Sequence, residues 1–365
     1  MADNLTVHGG QVHRAARELG VPLSDILDFS ANINPLGPPR SVRRALEKAL
    51  DDIRCYPDAS HTEAKRVIAN RYGVPEDSVL VSNGATEAID LVLRALLPSR
   101  VWILEPAFSE YRAAAQWNRL PIASLPLQRP EFGPPWERLL AAVRPGDCVI
   151  WNNPHNPSGR HVPRSEFFAP LQALAACGVA ILVDESFMDF LADDTASTAL
   201  PQAWQPGSRI IVVRSLTKFL AIPGLRLGFA VADPAWVLGL AQRRDRWSVN
   251  HLAQQAVGGL QDHAFRDHTR NWLVEEQQRT KAIWEPTPLY QREPTSVNFF
   301  LIRWADAQLS RSVAHALFTR RVLIRLCQDF NGLGPTYWRV AIRGRDENAR
   351  LYGVVQEILR QIGGV

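Results

Sequence analysis

Between residues 79 and 231 short apolar runs recur along the chain: "VLVS" (79–82), "VWIL" (101–104), "CVIW" (148–151), "VAILV" (179–183), "RIIVV" (209–213) and "RLGFAV" (226–231). They are too continuous to alternate apolar with polar positions, so each predicts a strand buried on both faces. Between them, stretches such as "ATEAIDLVLRALL" and "EFFAPLQALAAC" carry a helical period, the second closing at Gly178. Strands alternating with helices predict an α/β fold with a mostly parallel sheet covered on both faces. Ligands in such sheets bind at the carboxyl ends of the strands.

After a helical region near 251–283 the pattern changes. "VNFFLI" (297–302), "VLIRL" (322–326) and "YWRVAI" (337–342) are expected strands of a smaller α+β domain. The expected division is an N-terminal arm over 1–40 that packs on the small domain, a large domain over 41–250 and the small C-terminal domain over 251–365.

Composition narrows the class. With 365 residues, 46% hydrophobic and 21% charged, the chain can bury a large core without metals or disulfides. Cys55, Cys148, Cys177 and Cys327 are scattered, with no CxxC pair, which points to a reducing compartment and no metal site. The formal charge of +4 is spread along the chain, so small anionic substrates explain it as well as nucleic acid does. No leader pattern is present, and no uncharged apolar stretch reaches the ~18–20 residues of a membrane span. A cytoplasmic protein with no membrane and no nucleic-acid partner is expected.

Four motifs fall at predicted strand ends. In "SNGATEAI" (82–89) small residues open a helix, whose N-terminus favours an anion such as phosphate; a plain capped helix also fits. In "NNPHNPSG" (152–159) two Asn-Pro steps keep the chain extended and turning, which also reads as an ordinary turn. In "ILVDESFMDF" (181–190) Asp184 and Glu185 end an apolar strand, where a carboxylate needs a partner; a helix cap or salt bridge is the alternative. In "SLTKFLAIPGLRLG" (215–228) Lys218 stands at a strand end, where desolvation turns an amine into a nucleophile.

Together these are the parts that hold pyridoxal phosphate: a phosphate cradle, a carboxylate for the ring nitrogen, an asparagine loop and a lysine. Their order resembles the fold-type I aminotransferases (class I/II), over nearly the whole chain. The resemblance implies the pyridoxal 5'-phosphate-dependent transferase fold and a homodimer with an active site shared between subunits. Lys218 is then the Schiff-base lysine and general acid/base, with Asp184 on the pyridine nitrogen. Asn156 is implied at the phenolic oxygen and Phe108, in "EPAFSEY", as the stacking aromatic. Gly84, Ala85, Thr86, Ser215, Thr217 and Arg226 are implied around the cofactor phosphate. Tyr56, in "CYPD", would reach the cofactor phosphate of the neighbouring subunit, and Arg339 would hold a substrate carboxylate.

Within the family, one branch transaminates and one decarboxylates an amine-bearing phosphate monoester. "HGG" (8–10), "LDFSANINPLGPP" (27–39), Phe187 in "DESF" and the stretch 321–351 are more similar to the decarboxylating branch. A phosphorylated amino acid is the implied substrate, with His8, Gly9, Asn32 and Arg325 at its phosphate and Asn156 also in contact. Arg343 reads equally as a phosphate contact or a surface residue. His61 has no role in this reading, and "QRRDRW" (242–247) reads as a solvated helix face rather than a nucleic-acid contact.

Overall fold

The computed structural model describes residues 9–363. His8 lies outside them. The chain forms two compact units. One takes residues 36–156 and 161–269; the other takes the N-terminal stretch to Pro35, residues 157–160 and the C-terminal stretch from Arg270. The chain crosses between the units after residues 35, 156, 160 and 269, where the sequence pattern suggested divisions after 40 and 250.

The larger unit is built on seven strands: β1 (Val79–Ser82), β2 (Val101–Glu105), β3 (Ile122–Pro126), β4 (Cys148–Asn152), β5 (Ala180–Asp184), β6 (Ile210–Ser215) and β7 (Gly228–Val231). Their order in the sheet is β1-β7-β6-β5-β4-β2-β3. Neighbours from β6 to β3 run parallel, whereas β7 is antiparallel to both β1 and β6. Strand β3, at the edge, has a polar and partly exposed pattern that the apolar-run reading does not reach. All the other strands are buried along their length, as continuous Val, Ile and Leu runs require. Helices Gly84–Leu96 and Ser109–Trp117 pack on this sheet through Ala88, Leu91, Val92, Tyr111 and Ala114.

The register brings the strand ends to one edge. Gly228 pairs with Ser82 on one side and Ser215 on the other. Asn152 pairs with Asp184. A buried ion cluster braces this edge from below. Arg214 reaches Glu185 at 2.8 Å and Asp189 at 3.3 Å, and stacks over Tyr72. Burial pushes Glu185 upward against the pull of Arg214, while burial lowers Arg214 and the Glu185 and Asp189 charges more than offset it.

The smaller unit holds an antiparallel sheet of β8 (Tyr290–Arg292), β9 (Phe299–Trp304), β10 (Arg325–Leu326) and β11 (Tyr337–Ala341), in the order β10-β11-β9-β8. The N-terminal stretch contains a helix, Val12–Leu19, and a short strand, Leu27–Asp28, that pairs in parallel with Val322–Leu323. No helix among the described residues is long and apolar enough to cross a membrane.

Candidate active site

In the larger unit the chain turns from β1 into the Gly84–Leu96 helix with no side-chain cap from Asn83. Gly84 has φ +78°, and a Cβ there would sit 2.6 Å from an Arg226 guanidinium nitrogen. Arg226 itself adopts φ +59°, a costly conformation for a non-glycine residue. Gly228 is equally constrained: a Cβ would lie 2.7 Å from both Ala85 N and Gly84 C. Two missing side chains therefore let the helix start, Arg226 and β7 close on one another. Thr86 lies in the first turn and is half-buried. A helix N-terminus with an adjacent guanidinium is a cradle for a phosphate.

Lys218 stands not on the strand itself but in the short helix Leu216–Phe219 that follows β6. Its ammonium donates to Ser215 Oγ at 3.1 Å, and Ser215 Oγ lies 2.8 Å from Thr217 Oγ1. Phe187 is buried nearby, its ring centroid 6.0 Å from Lys218 Nζ.

Asp184 ends β5, buried. Tyr111 donates its phenol to Asp184 Oδ2 at 2.5 Å, and Ser186 N–H donates to Oδ1 at 2.9 Å. Burial first, and then the Asp184 charge, hold the Tyr111 phenol well above its ordinary value, so it stays a donor. The sequence reading misses Tyr111. The signal was available, since it stands one helical turn after Phe108 and the two rings meet edge to face at 5.7 Å. Asn156, buried, is reached through Asn152, whose amide accepts from Asn156 N–H at 2.6 Å and donates to Asp184 O at 2.8 Å. His155 Nε2 lies 2.8 Å from Pro106 O, and burial depresses its pKa to about 4, so the ring is neutral and that nitrogen is the donor.

Tyr56 is placed on the surface, 81% exposed, its ring 4.8 Å from that of Trp247. The run 242–247 is a turn, not a helix face. Within it Arg244 points inward, donating to Val81 O and lying 2.9 Å from His61 Nδ1. His61 is buried with φ +53°, and its pKa falls to about 4 through burial and then Arg244.

The smaller unit carries a second cluster. Arg325 and Arg339, 3% and 7% exposed, are opposite one another in the β10–β11 pair. Arg325 donates to Asp329 Oδ2 at 2.6 Å, and Arg339 to Ser30 O at 2.8 Å. Burial, with Arg325 adding to it, pulls the Arg339 pKa down to about 10. Gly9 lies over the same carbonyl, a Cβ there falling 2.2 Å from Ser30 O. Asn32 is buried, with neither atom of its amide hydrogen-bonded. Arg343 is committed within the protein, to Asp28 O at 3.0 Å and Glu347 at 2.6 Å.

The sequence profile of "Aminotransferase class I and II" matches residues 24–290, and the chain belongs to that family. Threonine-phosphate decarboxylase of Salmonella typhimurium is 38% identical over 364 residues, 98% of each chain. Histidinol-phosphate aminotransferase 2 of Ralstonia nicotianae is 30% identical over 362 residues, 97% of this chain and 94% of that one. In fold, the chain matches a histidinol-phosphate aminotransferase of Sinorhizobium meliloti, solved in complex with pyridoxal-5'-phosphate. The TM-score is 0.86 at 20% identity, covering 96% of this chain and 95% of the other.

Proposed function

We propose that the chain is a pyridoxal 5'-phosphate-dependent L-threonine O-3-phosphate decarboxylase. It releases carbon dioxide and (R)-1-amino-2-propanol O-2-phosphate, a reaction of cobalamin biosynthesis. The observation that carries this reading beyond the family is the pair of buried arginines, Arg325 and Arg339, in the same unit as a buried Asn32 amide with no partner. Buried like charges face to face call for an anion, and this substrate has two anionic groups. The 38% identity to the Salmonella decarboxylase points the same way.

The residues at the strand ends of the larger unit fit the cofactor. The glycine-lined helix start with Ala85, Thr86 and Arg226, together with Ser215 and Thr217, suits its phosphate. Asp184, a buried carboxylate held by Tyr111, suits a ring nitrogen that must keep its proton. Asn156 suits the phenolic oxygen, and Phe108 a ring face. When bound, pyridoxal phosphate supplies an aldehyde that condenses with amines and a ring that accepts the electrons of a bond broken at the substrate Cα.

Lys218 holds the cofactor before turnover and afterwards returns a proton to Cα. Arg339 binds the carboxylate and sets its torsion. That torsion would decide which bond at Cα is broken, the one to the carboxylate or the one to hydrogen. Arg325, Asn32, Gly9 and His8 take the substrate phosphate. Phe187 carries no hydroxyl, as in the decarboxylating branch. Tyr56, exposed on its own subunit, reaches the cofactor phosphate of a second copy, which makes the enzyme a homodimer. Its place is the cytoplasm.

The 30% identity to the Ralstonia aminotransferase favours a second reading, transamination of histidinol phosphate. The test is a product assay on the holoenzyme with L-threonine O-3-phosphate and no keto acid. Carbon dioxide and aminopropanol phosphate over many turnovers are the expected result. Silence there, with 2-oxoglutarate-dependent conversion of histidinol phosphate, overturns the decarboxylase reading.

A further inference from the structure

We infer that Asn152 is a positioning residue that sets the separation between Asp184 and Asn156, the two groups assigned to the ring nitrogen and the phenolic oxygen of the cofactor. The inference rests on the cofactor reading above. Asn152 is the last residue of β4 and pairs directly with Asp184, the last residue of β5. Its side chain is buried and both ends of its amide are used. Nδ2 donates to Asp184 O at 2.8 Å, and Oδ1 accepts from Asn156 N–H at 2.6 Å.

The Asp184 carbonyl already accepts from Asn153 N–H at 2.9 Å, so Asn152 adds a second tie to the same atom. Beyond β4 the chain turns through Pro154 and His155, and the Asn156 amide leaves the ladder of the sheet. Asn152 Oδ1 is the acceptor the structure gives that amide. One rigid planar group thus ties the end of one strand to the loop of the next. A carboxylate or an alkyl side chain of the same size lacks either the donor or the acceptor. The neighbouring residues are fixed by other means: Asn153 exchanges both amide ends with Val162 at 2.9 Å, and His155 is tied to Pro106 O at 2.8 Å. Both hydrogen bonds of the Asn152 side chain land on residues assigned to the cofactor ring.

A buried amide stripped of its partner costs about 1–3 kcal/mol, which is about a tenfold to hundredfold change in an equilibrium. Slack between Asp184 and Asn156 appears as a change in how the cofactor is held and in the electronic state of its ring. The chemistry itself is not removed.

The experiment uses the holoenzyme, with pyridoxal phosphate as the probe. In Asn152→Ala the dissociation constant of pyridoxal phosphate rises about tenfold. The pH midpoint of the visible absorption band of the bound cofactor shifts by about one unit. Turnover falls about tenfold while KM stays within about twofold, because Arg325, Arg339 and Asn32, assigned to the anionic groups of the substrate, are untouched. Asn152→Gln keeps both polar groups but lengthens the link by one methylene, and it shows the same shift in the band. That variant carries the test if the alanine variant does not accumulate as folded protein. An unchanged band midpoint and unchanged cofactor affinity in either folded variant overturns the inference and leaves Asn152 a brace of the sheet edge. A wild-type protein that gains no visible band with pyridoxal phosphate overturns the cofactor reading first, and this is seen before any substitution is made.

Discussion

Arg325 and Arg339 stand in register across neighbouring antiparallel strands, both guanidinium groups buried on one face of the small sheet. Directly opposed like charges destabilise a sheet. Asp329, 2.6 Å from Arg325, offsets one charge, and a bound anion would offset the repulsion further. Inorganic phosphate therefore raises the melting temperature of the wild-type protein, in proportion to ln(1 + [L]/Kd). Arg339→Gln loses most of that rise, and its KM for the phosphorylated amino acid climbs about tenfold to hundredfold, the worth of a charged hydrogen bond of ~1.5–3 kcal/mol. A melt series in phosphate, with KM measured in parallel, checks this.

Lys218→Ala is expected to leave a folded protein with no turnover. Its cofactor washes out on dialysis and the visible band is lost, because the amine that holds the aldehyde is gone. Lys218→Arg fares no better, since a guanidinium stays protonated. A spectrum before and after dialysis decides it.

Tyr111→Phe removes one of the two donors on the Asp184 carboxylate, the 2.5 Å phenol. The carboxylate assigned to the ring nitrogen loses a donor, and the pH midpoint of the cofactor band moves by about one unit. Turnover falls while KM holds. A variant whose band titrates as the wild type does would show that the phenol only fills space.

Gly228→Ala forces a methyl to within 2.7 Å of Ala85 N and Gly84 C, both backbone atoms that cannot swing away. Cofactor affinity falls more than global stability, because the displaced segment is the helix start that faces the phosphate. Paired urea melts and cofactor titrations separate the two effects.

His155 and His61 both have folded pKa values near 4, against 6.5 when free. Between those values the unfolded chain binds more protons than the folded one, so stability rises with pH there. Their contribution is fully present above pH 6.5 and is lost as the pH falls toward 4. Urea midpoints from pH 4 to 7 are expected to climb. His155→Gln, which keeps a donor for Pro106 O, flattens the slope.

Most of the large sheet was legible because its strands are buried on both faces and so spell themselves as unbroken apolar runs. Strand β3 was not, since its outer position leaves Ile122 and Ala123 partly exposed and lets Ser124 and Pro126 into the strand. The N-terminal stretch read as an irregular arm hides the Val12–Leu19 helix, which buries only Ala15 and Ala16 and so carries little apolar signal. At the site, Asp184, Asn156, Lys218 and Arg226 stood out by residue type at strand ends. Tyr111 and Asn152 did not, because their importance lies in what they touch: a phenol on a carboxylate and an amide between two strands. Arg244 was misplaced for a related reason, since a run of charge says nothing about which member turns inward to a buried histidine and a carbonyl.

The antiparallel β7 has a consequence for how the protein is made. Strand β1 leaves the ribosome early, yet its partner in the sheet, β7, lies about 150 residues further along the chain. Until that late strand is threaded between β1 and β6, Ser82 and Ser215 have no common neighbour, and the Gly84 turn has no Gly228 to close against. Until then the Gly84 turn lacks the backbone it closes against in the finished fold.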